Sequence, residues 1–169
     1  MSRPDISTVP EFYHSYIQQV KEENLSIAFQ NNTNEILNFL STISVEKYNF
    51  SYAENKWTLK EVIQHIIDSE RVFSYRALRF ARKDATPLPG FDETVFAKNA
   101  KVDKRDWNDL VEELLTVRKA TEFLFNSFGE EQLSEIGLAN NNNISVLAIG
   151  FICVGHCKHH FQIIKERYL

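Results

Sequence analysis

The chain holds five histidines, and three of them have a type and spacing that could share one metal ion. His156 and His160 lie four residues apart in a stretch of helical periodicity, which would set their Cβ atoms about 5 to 6 Å apart on one face. Neutral imidazole is a good donor to zinc, nickel, copper or iron, so two such rings can meet on one ion. A helical pair alone binds weakly and without selectivity. A defined site needs a donor from elsewhere, and His65, in another helical segment, is the best placed. Three protein ligands leave positions open for water or substrate, which separates a catalytic or substrate-binding metal site from a closed structural one. The competing reading of each ring is an ordinary hydrogen-bonded core histidine.

Neighbouring residues suggest supporting roles. Asp68 follows His65 by three positions and could orient its ring, as metal-bound imidazoles usually require; otherwise it is a solvated charge on a helix face. His159 projects away from His160 and is expected beside the site or at the surface. Cys153 shares the stripe of His156, either as a soft fourth ligand or as a small buried hydrophobe. Helical projection places His65, Ser69 and Arg76 on one flank, and Arg167 lies two turns beyond His160. Ser69, Arg76 and Arg167 are therefore candidate substrate-binding residues, the arginines for an anionic group, with plain salt bridges as the alternative. Glu70 and Arg118 each interrupt an apolar stripe, which suggests that they pair across the core.

Four helical segments would position these groups. The first runs from about Pro10 to Ser41, continuous or broken near Glu23 and Asn24. The second begins at a capping box formed by Thr58 and Glu61, flanked by Trp57 and Val62 as a hydrophobic staple, and reaches about Arg82. Lys83 to Arg105, with Pro87, Pro89 and Gly90, reads as a long connection that permits either direction for the next helix. The third segment runs from an Asp106 cap to a stop at Gly129, and the last from near Asn143 or Ser145 to the C-terminus. No period-two pattern of useful length predicts a strand. The fold class is all-α, a four-helix bundle, and residues 1–169 read as a single domain with a polar N-terminal tail over about residues 1–9.

Composition narrows the function classes. A net charge of −4 with interspersed signs offers no basic face for nucleic acid. The longest apolar run, Ile144 to Gly155, is too short to cross a bilayer, and the polar first ten residues do not resemble a signal peptide. Cys153 and Cys157, four apart on one helix, make no structural staple, which suggests a reducing, cytoplasmic setting. A homodimer is compatible with the apolar stripes but not required by them.

The segments K-W-T-L-K-E-V-I-Q-H (56–65) and G-H-C-K-H-H-F-Q-I-I (155–164) together resemble the DinB-like, or YfiT-like, superfamily of metal-binding helical bundles. D-S-E-R-V-F-S-Y-R-A-L-R-F-A-R from Asp68, P-L-P-G-F-D from Pro87 and the terminal E-R-Y-L resemble one branch of it. The resemblance implies one divalent ion, commonly zinc or nickel, held by residues corresponding to His65, His156 and His160. It also implies a small-molecule substrate. Members include transferases and isomerases that use low-molecular-weight thiols, and others known only as metal-dependent hydrolases. The absence of an H-E-x-x-H arrangement, which would supply a general base, favours thiol transfer over hydrolysis. A non-catalytic bundle that binds a ligand, braced by the metal or lacking one, is the alternative from a different class.

Overall fold

The computed structural model describes residues 3–169. Seven α-helices and one β-hairpin follow in order: α1 (His14–Gln18), α2 (Leu25–Leu40), α3 (Leu59–Ala81), α4 (Glu93–Ala100), α5 (Trp107–Asn126), α6 (Glu130–Ser134), β1 (Ile136–Ala139), β2 (Asn142–Ser145) and α7 (Val146–Arg167). The long helices α2, α3, α5 and α7 form a four-helix bundle. Each begins where a side chain satisfies a free backbone amide. Asn24 caps α2, Asp106 caps α5 and Ser145 caps α7, while Thr58 and Glu61 close the reciprocal capping box of α3.

Two apolar clusters fill the bundle. One gathers Phe29, Phe73, Phe80, Phe125 and Phe151, and the other Ile36, Ile63, Ile67, Leu114, Cys157 and Ile164. Following each helix through the clusters shows that α2 and α7 run from the first to the second, whereas α3 and α5 run the opposite way. Helices α3 and α5 are neighbours and parallel, so the segment between them must return along the bundle. That resolves the direction the sequence leaves open and explains the length of the connection.

Several local features differ from the sequence-based expectations. The first helical segment is broken: α1 ends at Gln18, and the Asn24 cap starts α2 afresh. The Lys83–Arg105 connection contains α4, capped by Asp92 and ended by Lys101 in the left-handed region (φ 49°). A hairpin forms where no strand was expected, because Asn140 and Asn141 take positive φ values of 49° and 61°. Two successive left-handed residues make the tight turn that matches strand twist, and asparagine tolerates them. Of the expected polar tail, Met1 and Ser2 lie outside the described residues. Beyond them Val9 is buried, and Arg3 donates to the carbonyls of Ile17 (2.9 Å) and Val20. No helix among the described residues is long and apolar enough to cross a membrane.

Candidate metal centre

His65 sits in the second turn of α3, and the capping box that fixes the start of that helix also fixes its neighbour. Trp57, just before the cap, packs with its ring centroid 4.9 Å from that of His65. His156 and His160 face it from α7, which packs directly against α3. The Nε2 of His156 lies 3.0 Å from that of His65 and 3.1 Å from that of His160. Among the described residues this is the one group of three such side chains whose donor atoms, all within 4.8 Å of one another, could hold a single ion.

Hydrogen bonding alone accounts poorly for this arrangement. A neutral imidazole has one N–H and one lone pair, so a central Nε2 facing two others can complete only one good hydrogen bond. Cation–nitrogen bonds of about 2.0 to 2.1 Å allow donors up to about 4 Å apart to share an ion, so the observed separations suit a cation between the rings. Burial also keeps the lone pairs free of protons. It pushes the His65 ring down to about 4 and that of His160 to about 3, the latter helped by its histidine neighbours. His156 falls well below the usual histidine range, first by burial and then through His160, His65, His159 and Arg118. The three-imidazole donor set therefore fits a divalent transition metal.

The surroundings exclude water from one side and admit a ligand from the other. Tyr16 and Phe73 stand edge-on to His156, with centroids 5.4 and 5.7 Å away. Tyr16 can come this close because residue 155 is glycine: a Cβ there would lie 2.1 Å from the Tyr16 carbonyl oxygen. The rings form one end of a cavity of about 320 Å³, walled by Phe12, Tyr13, Tyr16, Trp57, Phe73 and Phe91 and further lined by Ser69, Arg76, Gly90, Glu93, Thr94 and Asn140. The segment before α4 is held over this cavity by the hairpin, through Leu88 N to Leu138 O (2.9 Å) and Asn140 N to Leu88 O (3.0 Å). At Gly90 a Cβ would fall 2.5 Å from Asn140 Oδ1, so a larger residue there would displace that side chain.

The other candidates from the sequence divide clearly. Ser69 is buried with Oγ 3.5 Å from His65 Nδ1, making it the side chain that can orient this ring. Asp68 does not do so; it accepts from Gln64 Nε2 (2.9 Å) and faces Arg71 and a different surface hollow. His159 is half-buried beside the site, its ring 5.2 Å from both Tyr16 and His160. Cys153 is buried outside the converging donors, and burial pushes its thiol well up, so it behaves as a small hydrophobe. Arg76 lines the cavity as expected, buried to 5% exposure. Arg167 does not: it is exposed, and Ile164 and Tyr168 take the inward positions of the last turns. Arg167 projects within about 20° of the face of His156 and His160, but it stands about 10 Å further along α7, past the cavity lining. Glu70 and Arg118 pair as expected, through two hydrogen bonds of 2.8 Å.

Sequence reasoning missed Glu93, Thr94 and Asn140 as cavity residues. The Asp92 cap followed by Glu93 was a signal for the short helix, and the paired asparagines were a signal for the turn.

The profile of the DinB superfamily matches residues 28–164. A protein of Oceanobacillus iheyensis, named as a presumed metal-dependent hydrolase, is 26% identical over 168 residues, covering 96% of this chain and 88% of its own. Among solved structures, YfiT from Bacillus subtilis is described as a probable metal-dependent hydrolase with an unusual four-helix bundle topology. It superposes with a TM-score of 0.72 at 16% identity, covering 97% of this chain and 90% of that one. A mycothiol-dependent maleylpyruvate isomerase superposes with a TM-score of 0.69 at 12% identity, covering 90% of this chain and 62% of that one. At these identities the two structural likenesses speak for the fold.

Proposed function

The chain belongs to the DinB superfamily, and from that premise we propose that it is an enzyme acting on a small molecule through one divalent transition metal, zinc or nickel, held by His65, His156 and His160. The observation that carries this reading is the meeting of three Nε2 atoms, two of their separations being 3.0 and 3.1 Å. Bound there, the ion would supply Lewis acidity, which lowers the pKa of a thiol or a water toward neutrality.

The reaction we favour is transfer of a low-molecular-weight thiol to an electrophile. The thiol gives its proton to solvent, sulfur forms a bond to the electrophilic carbon with its own electron pair, and the leaving group departs with the pair it shared. Ser69 orients His65, while Tyr16 and Phe73 keep water from the back of His156. The cavity's aromatic walls would hold the substrate. Cys153 and Cys157 are buried and free, in keeping with the reducing cytoplasm where small thiols remain reduced. The name of the Oceanobacillus relative supports metal dependence, and that of the isomerase supports use of a thiol.

Hydrolysis is the second reading, because Glu93 places a carboxylate on the cavity wall where a general base could work. Metal-loaded protein assayed with thiols plus 1-chloro-2,4-dinitrobenzene, and separately with 4-nitrophenyl esters, distinguishes the two. Thiol transfer predicts turnover in the first assay that Glu93→Gln changes by less than about threefold. Hydrolysis predicts turnover in the second, reduced about 100-fold by the same substitution. Failure of the protein to retain one equivalent of metal after dialysis against a weak chelator overturns both.

A further inference from the structure

We propose that Arg76 is an anion-binding subsite, so that the substrate carries one carboxylate or comparable anionic group at the end remote from the three imidazoles. This deepens the function proposed above and assumes that the same cavity takes the substrate. Two arginines are buried in the protein, and their surroundings differ. Arg118, fully buried, has both oxygens of Glu70 and the side-chain oxygen of Asn32 as acceptors. Arg76, at 5% exposure, has no carboxylate within ion-pair distance among the described residues; Pro89 O accepts from it at 2.8 Å, and the Tyr13 hydroxyl is its other polar neighbour.

A guanidinium presents five N–H donors in a fixed fork and stays charged at any physiological pH. Buried charge is expensive without a counter-ion, and here the remaining donors border a cavity rather than packed core. The fork suits two parallel hydrogen bonds to a carboxylate. Arg76 follows His65 along one face of α3 by about three turns, roughly 16 Å of axial rise, with Ser69 and Phe73 between them. Both side chains lean back toward the N-terminus, so only the longer reach of arginine shortens this separation, by a few ångströms to roughly 12 Å. The walls between are aromatic. Glu93, lining the same cavity, disfavours a second anion. The ligand class is thus a small monoanion with a flat apolar middle and its reacting atom at the far end.

The test uses 4-(mercaptomethyl)benzoate and its neutral carboxamide as matched probes on cobalt-loaded protein, followed by calorimetry and by the thiolate-to-cobalt absorption band. The acid is expected to bind about 10- to 100-fold more tightly than the amide, the advantage of hydrogen bonds to a charged group. Arg76→Gln keeps a donor for Pro89 but removes the charge, and should bring the ratio to near one. Arg76→Lys should retain part of the preference. If Arg76 merely ties the loop to α3, the wild type shows no preference, through equal affinity or through binding of neither probe, and the subsite is overturned. A preference by calorimetry without the absorption band supports the subsite and counts against the metal reading. The band with equal affinities does the reverse.

Discussion

Two buried polar clusters join α3 to its neighbours, and they are built on opposite principles. At mid-bundle, between the two apolar clusters, Arg118 is enclosed by Glu70 and Asn32, and its charge and its hydrogen bonds have partners. At the cavity end, His65, His156 and His160 turn like atoms toward one another, with more acceptors than protons to share. The first cluster is complete as protein; the second has the donor set that could hold a cation. The first is also enclosed on every side while the second borders the cavity, so access and the balance of donors and acceptors together separate a brace from a site.

The comparison can be broken most forcefully at the brace. Arg118→Met leaves Glu70 as a buried charge without its partner and should cost about 3 to 5 kcal/mol in urea unfolding. Replacing both Arg118 and Glu70 by methionine should recover most of that loss, since the burden is the orphaned charge. Acidification tests the other cluster. The ring of His65 has its pKa lowered to about 4 by burial, whereas the unfolded chain has it near the ordinary value of about 6.5. Metal-free protein should therefore keep full stability above about pH 6.5 and lose it as pH falls toward about 4, where the unfolded state takes up protons that the folded state refuses. The loss from this ring is on the order of 3 kcal/mol, and His65→Ala should remove that part of the loss and leave the part due to His156 and His160.

Two smaller effects sharpen the contrast. His156→Ala should weaken metal binding by about 100-fold or more, roughly 2.7 kcal/mol, yet leave the metal-free melting temperature unchanged or higher because a crowded ring is gone. Ser69→Ala should weaken metal binding by about tenfold, the lower end for a group that orients a ligand, given the long 3.5 Å contact to His65. Metal titration monitored by calorimetry measures both. A His156 variant that melted like the Arg118 variant would erase the distinction between brace and site.

What could be read from the sequence was local or strictly periodic. Thr58 and Asp106 marked helix starts because a cap acts within three residues, the last start was narrowed to Asn143 or Ser145, and the Glu70–Arg118 pair showed itself as charges in apolar stripes. The imidazole spacing brought His156 and His160 together on one helix, while His65 required correct guessing of which helices pack. Longer-range facts were hidden. The parallel course of α3 and α5 follows from how a connection crosses the bundle, and no residue pattern encodes it. Arg167 was misplaced because angle on a helix says nothing of where along it the cavity ends, and of the two readings of Asp68 it is the helix-face charge that fits, Ser69 Oγ being the group beside the ring. Helix α4 is only eight residues long, too short to establish a period.

The close approach at Gly155 has a consequence for how such a protein diversifies. The strand of chain it admits, with Phe12, Tyr13 and Tyr16, precedes residue 28, where the superfamily match begins, while all three imidazoles fall inside that match. One wall of the cavity thus comes from ahead of the matched stretch, while Arg76, Glu93 and the rest of the lining lie within it. Exchanging the leading residues would reshape that one wall and leave His65, His156 and His160 in place.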